Sequence, residues 1–185
     1  MSFEHLVRLP KDRIGVIIGR NGIVKKEIEN KCSVNISVDS ENGEVVIRLM
    51  KSIDESEPFK AINIINAIGK GFSPEKAFRL LDDNVILEFI DLRNYVGKST
   101  NALTRIKGRI IGFNGKSRRN IEEISGCKLS VYGHTVAIVG IDYEVKAVLD
   151  AVIKLASGSV HRTVYKNLQN SRTQAKLNKM KLWED

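Results

Sequence analysis

The sequence predicts an α+β protein made of two tandem βααββα units, a short helical linker and a basic helical tail. Three observations carry that prediction. Ile17-Ile18-Gly19-Arg20-Asn21-Gly22 recurs 93 residues later as Ile110-Ile111-Gly112-Phe113-Asn114-Gly115. The hydrophobic patterns around the two copies follow one order. A chain of 185 residues, 42% hydrophobic, has room for two small cores.

In the first copy, Glu4-His5-Leu6-Val7-Arg8-Leu9 alternates as a strand does. Pro10 suits a strand-to-helix turn, and Ile14, Ile17 and Ile18 mark one face of the helix that follows. Past the glycine loop, residues 23–31 read as a second helix. Val34, Ile36 and Val38 alternate, as do Val45, Ile47 and Leu49, with the turn signal Asn42-Gly43 between them. Phe59, Ile62, Ile65, Ala67 and Ile68 supply the apolar face of a third helix. Ser73, Pro74 and Glu75 then open a short helix within the linker. The second copy repeats the order: a strand at 85–90, a helix capped at Ser99 or Thr100, the loop, a helix at 116–125, two strands around Gly133-His134, and a helix at 143–156. The predicted boundaries are 1–70 and 84–157 for the two units, 71–83 for the linker and 158–185 for the tail. Ile28 aligns with Ile121 and Cys32 with Cys127, with two extra residues in the second copy.

A glycine loop between two short helices presents backbone N–H groups and a helix N-terminus to phosphate. Its glycines allow close approach and positive φ. This arrangement resembles the type I KH domain, which clamps about four nucleotides of a single strand. The candidate RNA-binding residues are Gly19, Arg20, Asn21, Gly22, Lys25 and Lys26 in the first domain. In the second they are Arg105, Lys107, Arg109, Gly112, Phe113, Asn114, Gly115, Lys116, Arg118 and Arg119. No acidic residue falls between Arg105 and Arg119, so the second domain is expected to be the main RNA contact. Ile14, Ile18, Ile28 and Ile36, and Ile111, Ile121, Leu129 and Val131, are the candidates for the apolar groove beside each loop.

A net charge of +8 favours a polyanionic partner. No apolar run is long enough for a membrane span, and the N-terminus lacks a signal-peptide pattern. A cytoplasmic protein without a membrane partner is expected. Cys32 and Cys127 read as equivalent buried core positions, not a disulfide. The three histidines are scattered, so no metal or other cofactor is expected. Gly-Lys-Ser at 97–99 and 115–117 mimics a P-loop, but Leu92 and Ile110 stand where that loop needs glycine. No catalytic constellation stands out, and the protein is expected not to be an enzyme.

Lys25 and Arg118 are charged where KH domains ordinarily carry an apolar residue. Together with Gly71-Phe72-Ser73-Pro74, Ile121-Glu122, Val136-Ala137-Ile138-Val139-Gly140, Gly158-Ser159 and Val164-Tyr165-Lys166-Asn167-Leu168, they make the chain resemble the Partner-of-Nob (Dim-type) ribosome-assembly factors in their archaeal form, close to the Krr-type proteins. The resemblance implies a non-catalytic protein on single-stranded small-subunit rRNA precursor near its 3′ end, with the Nob endonuclease as partner. Two other readings use the same residues. One is a protein-interaction scaffold with a KH domain turned to docking, contacting partners through Phe113, the tail and Trp183. The other is a general single-stranded RNA-binding regulator.

Overall fold

A computed structural model of the chain describes residues 3–52, 55–97 and 99–181, leaving Lys98 and Trp183 outside the described residues. It divides into two units, Met1–Asp82 and Asp83–Asp185. The first contains β1 (Glu4–Arg8), α1 (Lys11–Ile18), α2 (Ile23–Cys32), β2 (Val34–Asp39), β3 (Glu44–Leu49), α3 (Pro58–Gly69) and α4 (Pro74–Ala77). Its antiparallel sheet has the order β1-β3-β2. Register pairs Val7 with Val45 and Ile36 with Ile47, so the period-2 apolar sets share one buried face. The hairpin is closed by Asp39, whose carboxylate accepts the backbone N–H of Glu41 and Asn42.

α3 buries Ala61, Ile62, Ile64, Ile65, Ala67 and Ile68, a wide arc. Phe59, expected on that face, is instead 68% exposed. It lies two residues before Ala61, about 200° round the helix, and its ring meets the edge of Phe3 at 6.0 Å.

The second unit contains β4 (Val85–Asp91), α5 (Arg93–Val96), α6 (Thr100–Ile111), α7 (Lys116–Ser125), β5 (Lys128–Tyr132), β6 (Thr135–Ile141), α8 (Asp142–Ala156) and α9 (His161–Lys181). Its sheet order is β4-β6-β5. Ser99 caps α6, its hydroxyl accepting the Ala102 N–H at 3.3 Å. The start of the tail is part of this core: Val164 and Leu168 of α9 are buried among residues such as Ile121 and Val148.

α3 and α8 end in the same way. Gly71 and Gly158 both take φ +97. The next N–H reaches back five residues, Phe72 to the Ala67 carbonyl at 3.1 Å and Ser159 to the Lys154 carbonyl at 2.9 Å. These are Schellman caps. An arginine from the helix that precedes each glycine loop grips two carbonyls at this end. Arg13 donates to Ile68 and Phe72 (2.8 and 2.7 Å), and Arg109 donates to Leu155 and Ser159. The structural repeat therefore runs past the third helix, with α4 and α9 leaving their caps at corresponding places.

The two cysteines are buried free thiols, but they are not equivalent. Ser33 and Gly126 both terminate their helices in the left-handed region (φ 52 and 85), which fixes the register without a gap. Cys32 thus matches Ser125, and Cys127 matches Val34. Burial and the Glu57 carboxylate push the Cys32 thiol up to about 11. Neither cysteine should react with iodoacetamide in the native protein at neutral pH, and both should react once the chain is unfolded. Rapid native labelling of either one would contradict its burial.

Candidate nucleic-acid interface

Each loop is a four-residue turn whose geometry only particular residues can adopt. Gly19 and Gly112 take φ +70, ψ 175 and φ +73, ψ 173, a region essentially restricted to glycine. A Cβ on Gly19 would lie 2.4 Å from the Val24 side chain, and one on Gly112 2.6 Å from the Ser117 backbone nitrogen. The first glycine therefore lets the loop lie flat on the helix that follows. Gly22 and Gly115, both at φ +76, close the turn by donating to the carbonyls of Gly19 and Gly112 at 3.2 and 3.1 Å. Asn21 and Asn114 are left-handed at φ 54 and 48, which asparagine tolerates better than most residues. The loop tips point outward: Arg20 and Asn21 are exposed, and Phe113 is 85% exposed.

The helices after the loops break the usual charge rule. α2 and α7 have no side-chain N-cap and no acidic residue in the first turn. α7 instead opens with Lys116, Arg118 and Arg119 at the positive end of its dipole, an arrangement that disfavours the free helix. Residues that violate a local rule together point to a candidate site, at which an anionic ligand would supply the missing charge. Elsewhere carboxylates pair many cations: Arg8 with Glu44, Lys31 with Glu27, Arg48 with Glu4, Lys146 with Asp142 and Lys154 with Asp150. Among the described residues, Arg20, Lys26, Arg105, Lys107, Lys116 and Arg119 have no such partner.

Three candidate cations are placed differently. Lys25 lies 3.8 Å from Glu29. Arg118 is half-buried, and its Nε has no hydrogen-bond partner among the described residues. Arg109 is the clamp on the end of α8. Arg109→Ala should thus destabilise the protein by about 2–3 kcal/mol, because charged hydrogen bonds to two carbonyls are lost. Arg13→Ala should behave alike, as read by urea denaturation. An undiminished midpoint would return Arg109 to the exposed set.

The groove candidates divide by burial. Ile14, Ile28, Ile36, Ile121 and Leu129 are fully buried and serve the core. Ile18 and Ile111, each just before its loop, are half-buried, as are Val131 and its counterpart Val38. Sequence reasoning left Val38 out of the groove candidates. It also missed Glu29 and Glu122, whose carboxylates accept the N–H of Ile36 and Leu129, each at 2.8 Å. Their shared spacing of 93 residues was the available signal. On α1 and α6, Gly15 and Gly108 are exposed, and an added Cβ at either would meet nothing within 4 Å. An exposed glycine therefore stands four residues before the first glycine of each loop. Among the described residues no cluster could hold a metal, and no helix is long and apolar enough to cross a membrane.

Fold and loop surface together define a tandem KH protein of the RNA-binding kind. Residues 4–66 match the KH domain family, and residues 86–173 match the eukaryotic-type KH-domain (type I) family of the second Pno1 domain. The chain belongs to the Pno1/Dim2-type KH family. It is 42% identical to the KH domain-containing protein MJ0443 of Methanocaldococcus jannaschii, covering 97% of this chain and 78% of that protein. The pre-rRNA-processing protein pno1 of Schizosaccharomyces pombe is 29% identical over 63% of this chain and 49% of its own length. A chain in the crystal structure of the a/eIF2α–aDim2p–rRNA complex from Pyrococcus horikoshii superposes with a TM-score of 0.86. It is 44% identical, over 94% of this chain and 96% of that one.

Proposed function

We propose that the protein is a non-catalytic, cytoplasmic ribosome-assembly factor. It binds single-stranded small-subunit rRNA precursor near its 3′ end, with the second KH domain as the principal contact. The observation that carries this reading is the start of α7, where uncapped amides and three cations surround a loop closed by Gly112 and Gly115. Phosphates seated there satisfy both the amides and the cations. The small-subunit target is supported by the pre-rRNA-processing relative and by the neighbour in an rRNA complex. Beside this RNA, the Nob endonuclease is the partner that cuts while this protein positions or shields the site.

Crosslinking in native extract tests the proposal. Recovered RNA should be enriched in the 3′ region of small-subunit rRNA and its precursor. Recovery of other RNAs without that region would overturn the target assignment.

A further inference from the structure

Residues 161–181 contain six Lys and Arg and no Asp or Glu. Like charges at i and i+4, such as Arg162 and Lys166, disfavour a helix, and Arg162 also sits at the wrong end of the dipole. Arg162, Lys166 and Lys176 are exposed, and their side chains have no hydrogen bond or ion pair among the described residues. The position of α9 gives this charge a use. Tyr165 donates its hydroxyl to Ser117 Oγ at 2.9 Å, and His161 Nε2 lies 2.8 Å from the Arg109 carbonyl. Both contacts flank the 112–115 loop, one just before it and one just after. At the far end of α7, Arg172 donates to the Ile124 carbonyl at 2.7 Å. Hence α9 runs parallel to α7, with both N-termini at the loop. Arg162 and Lys166 are about 6 Å apart along the axis, comparable with the spacing of neighbouring phosphates on a strand.

We propose that the first two turns of α9 form a second phosphate-contact strip, in which Arg162 and Lys166 take the backbone of single-stranded RNA as it leaves the second loop. The inference rests on the RNA-binding reading above and extends its footprint beyond the KH groove. α4, at the corresponding place in the first unit, continues as a 3-10 turn to Leu81 but carries Glu75 where α9 has Arg162, so it offers no such strip.

The test compares the full chain with Arg162→Gln/Lys166→Gln. Each is titrated with a tetranucleotide and with an RNA of about twelve nucleotides between roughly 50 and 200 mM salt. For the longer RNA, the salt slope of the variant should fall by about 1.4, since each single-strand phosphate contact contributes about 0.7. Its affinity should drop severalfold, with tetranucleotide binding and thermal midpoint unchanged. An unchanged slope on the longer RNA overturns the strip, and so does equal weakening on both RNAs, which would mean action through the loop. A loss seen only with double-helical RNA overturns the single-strand assignment. Phe113→Asp/Asn114→Asp separates the two levels. If it weakens both RNAs while the α9 variant weakens neither, only the strip fails; if the unaltered protein binds neither RNA, the functional reading fails with it.

Discussion

The Phe113→Asp/Asn114→Asp variant is expected to lose RNA affinity by roughly thirtyfold to several-hundredfold with its fold intact. Two carboxylates at the loop tip would repel the phosphates that the proposed function seats there. At an effective dielectric between water and protein interior, repulsion of this kind amounts to about 2–4 kcal/mol. The fold should survive for two reasons. Phe113 is 85% exposed and contributes little to the core. Asn114 occupies the left-handed region at φ 48, which aspartate also tolerates. Fluorescence anisotropy with single-stranded RNA, alongside a thermal melt, checks both halves. Arg20→Asp/Asn21→Asp should cost less, because fewer unpaired cations surround the first loop. Equal losses would sink the bias toward the second domain, and unchanged binding by the folded Phe113/Asn114 variant would remove the second loop from the site.

The second large effect concerns stability. Gly112→Ala should destabilise the protein by about 2–5 kcal/mol, whereas Gly115→Ala should cost about 1–2 kcal/mol. The two glycines have nearly the same φ but different ψ, 173 against 13, so Gly112 lies in a region essentially restricted to glycine while Gly115 is left-handed helical. Their surroundings widen the difference. A methyl on Gly112 would lie 2.6 Å from the Ser117 nitrogen and 2.7 Å from its Cβ, inside the first turn of α7. Helix backbone cannot yield cheaply there. A methyl on Gly115 would meet only the flexible end of Arg119, at 3.7 Å. Urea denaturation of the two variants measures the gap. Equal midpoints would contradict both the clash with α7 and the glycine-only backbone region at position 112.

The repeated glycine motif and the period-2 strands were legible because both are local. Ile17-Ile18-Gly19 and Ile110-Ile111-Gly112 announce themselves in one dimension, and Val45, Ile47 and Leu49 alternate whatever they pack against. Helix C-caps were less visible, since Gly71 and Gly158 look like ordinary loop glycines until their hydrogen bonds are traced. Arg109 is the instructive case. Beside Arg105 and Lys107 it reads as one more phosphate ligand, and only the approach of α8 turns its guanidinium toward the Leu155 and Ser159 carbonyls. Cys32 and Cys127 differ in another way: the letters match, but the left-handed residues Ser33 and Gly126 set the register.

By itself, the sequence determined the two-unit βααββα order, the loops and the charge excess. Those features depend on periodicity, glycine's conformational freedom and composition, all carried by neighbouring residues. Tertiary structure decided which cations stay without a carboxylate partner among the described residues, which apolar residues remain half-buried and where the start of the tail lies. These depend on partners distant along the chain, Leu155 for Arg109 and Ser117 for Tyr165. A cation's role follows from what folds up beside it, and no local pattern records that.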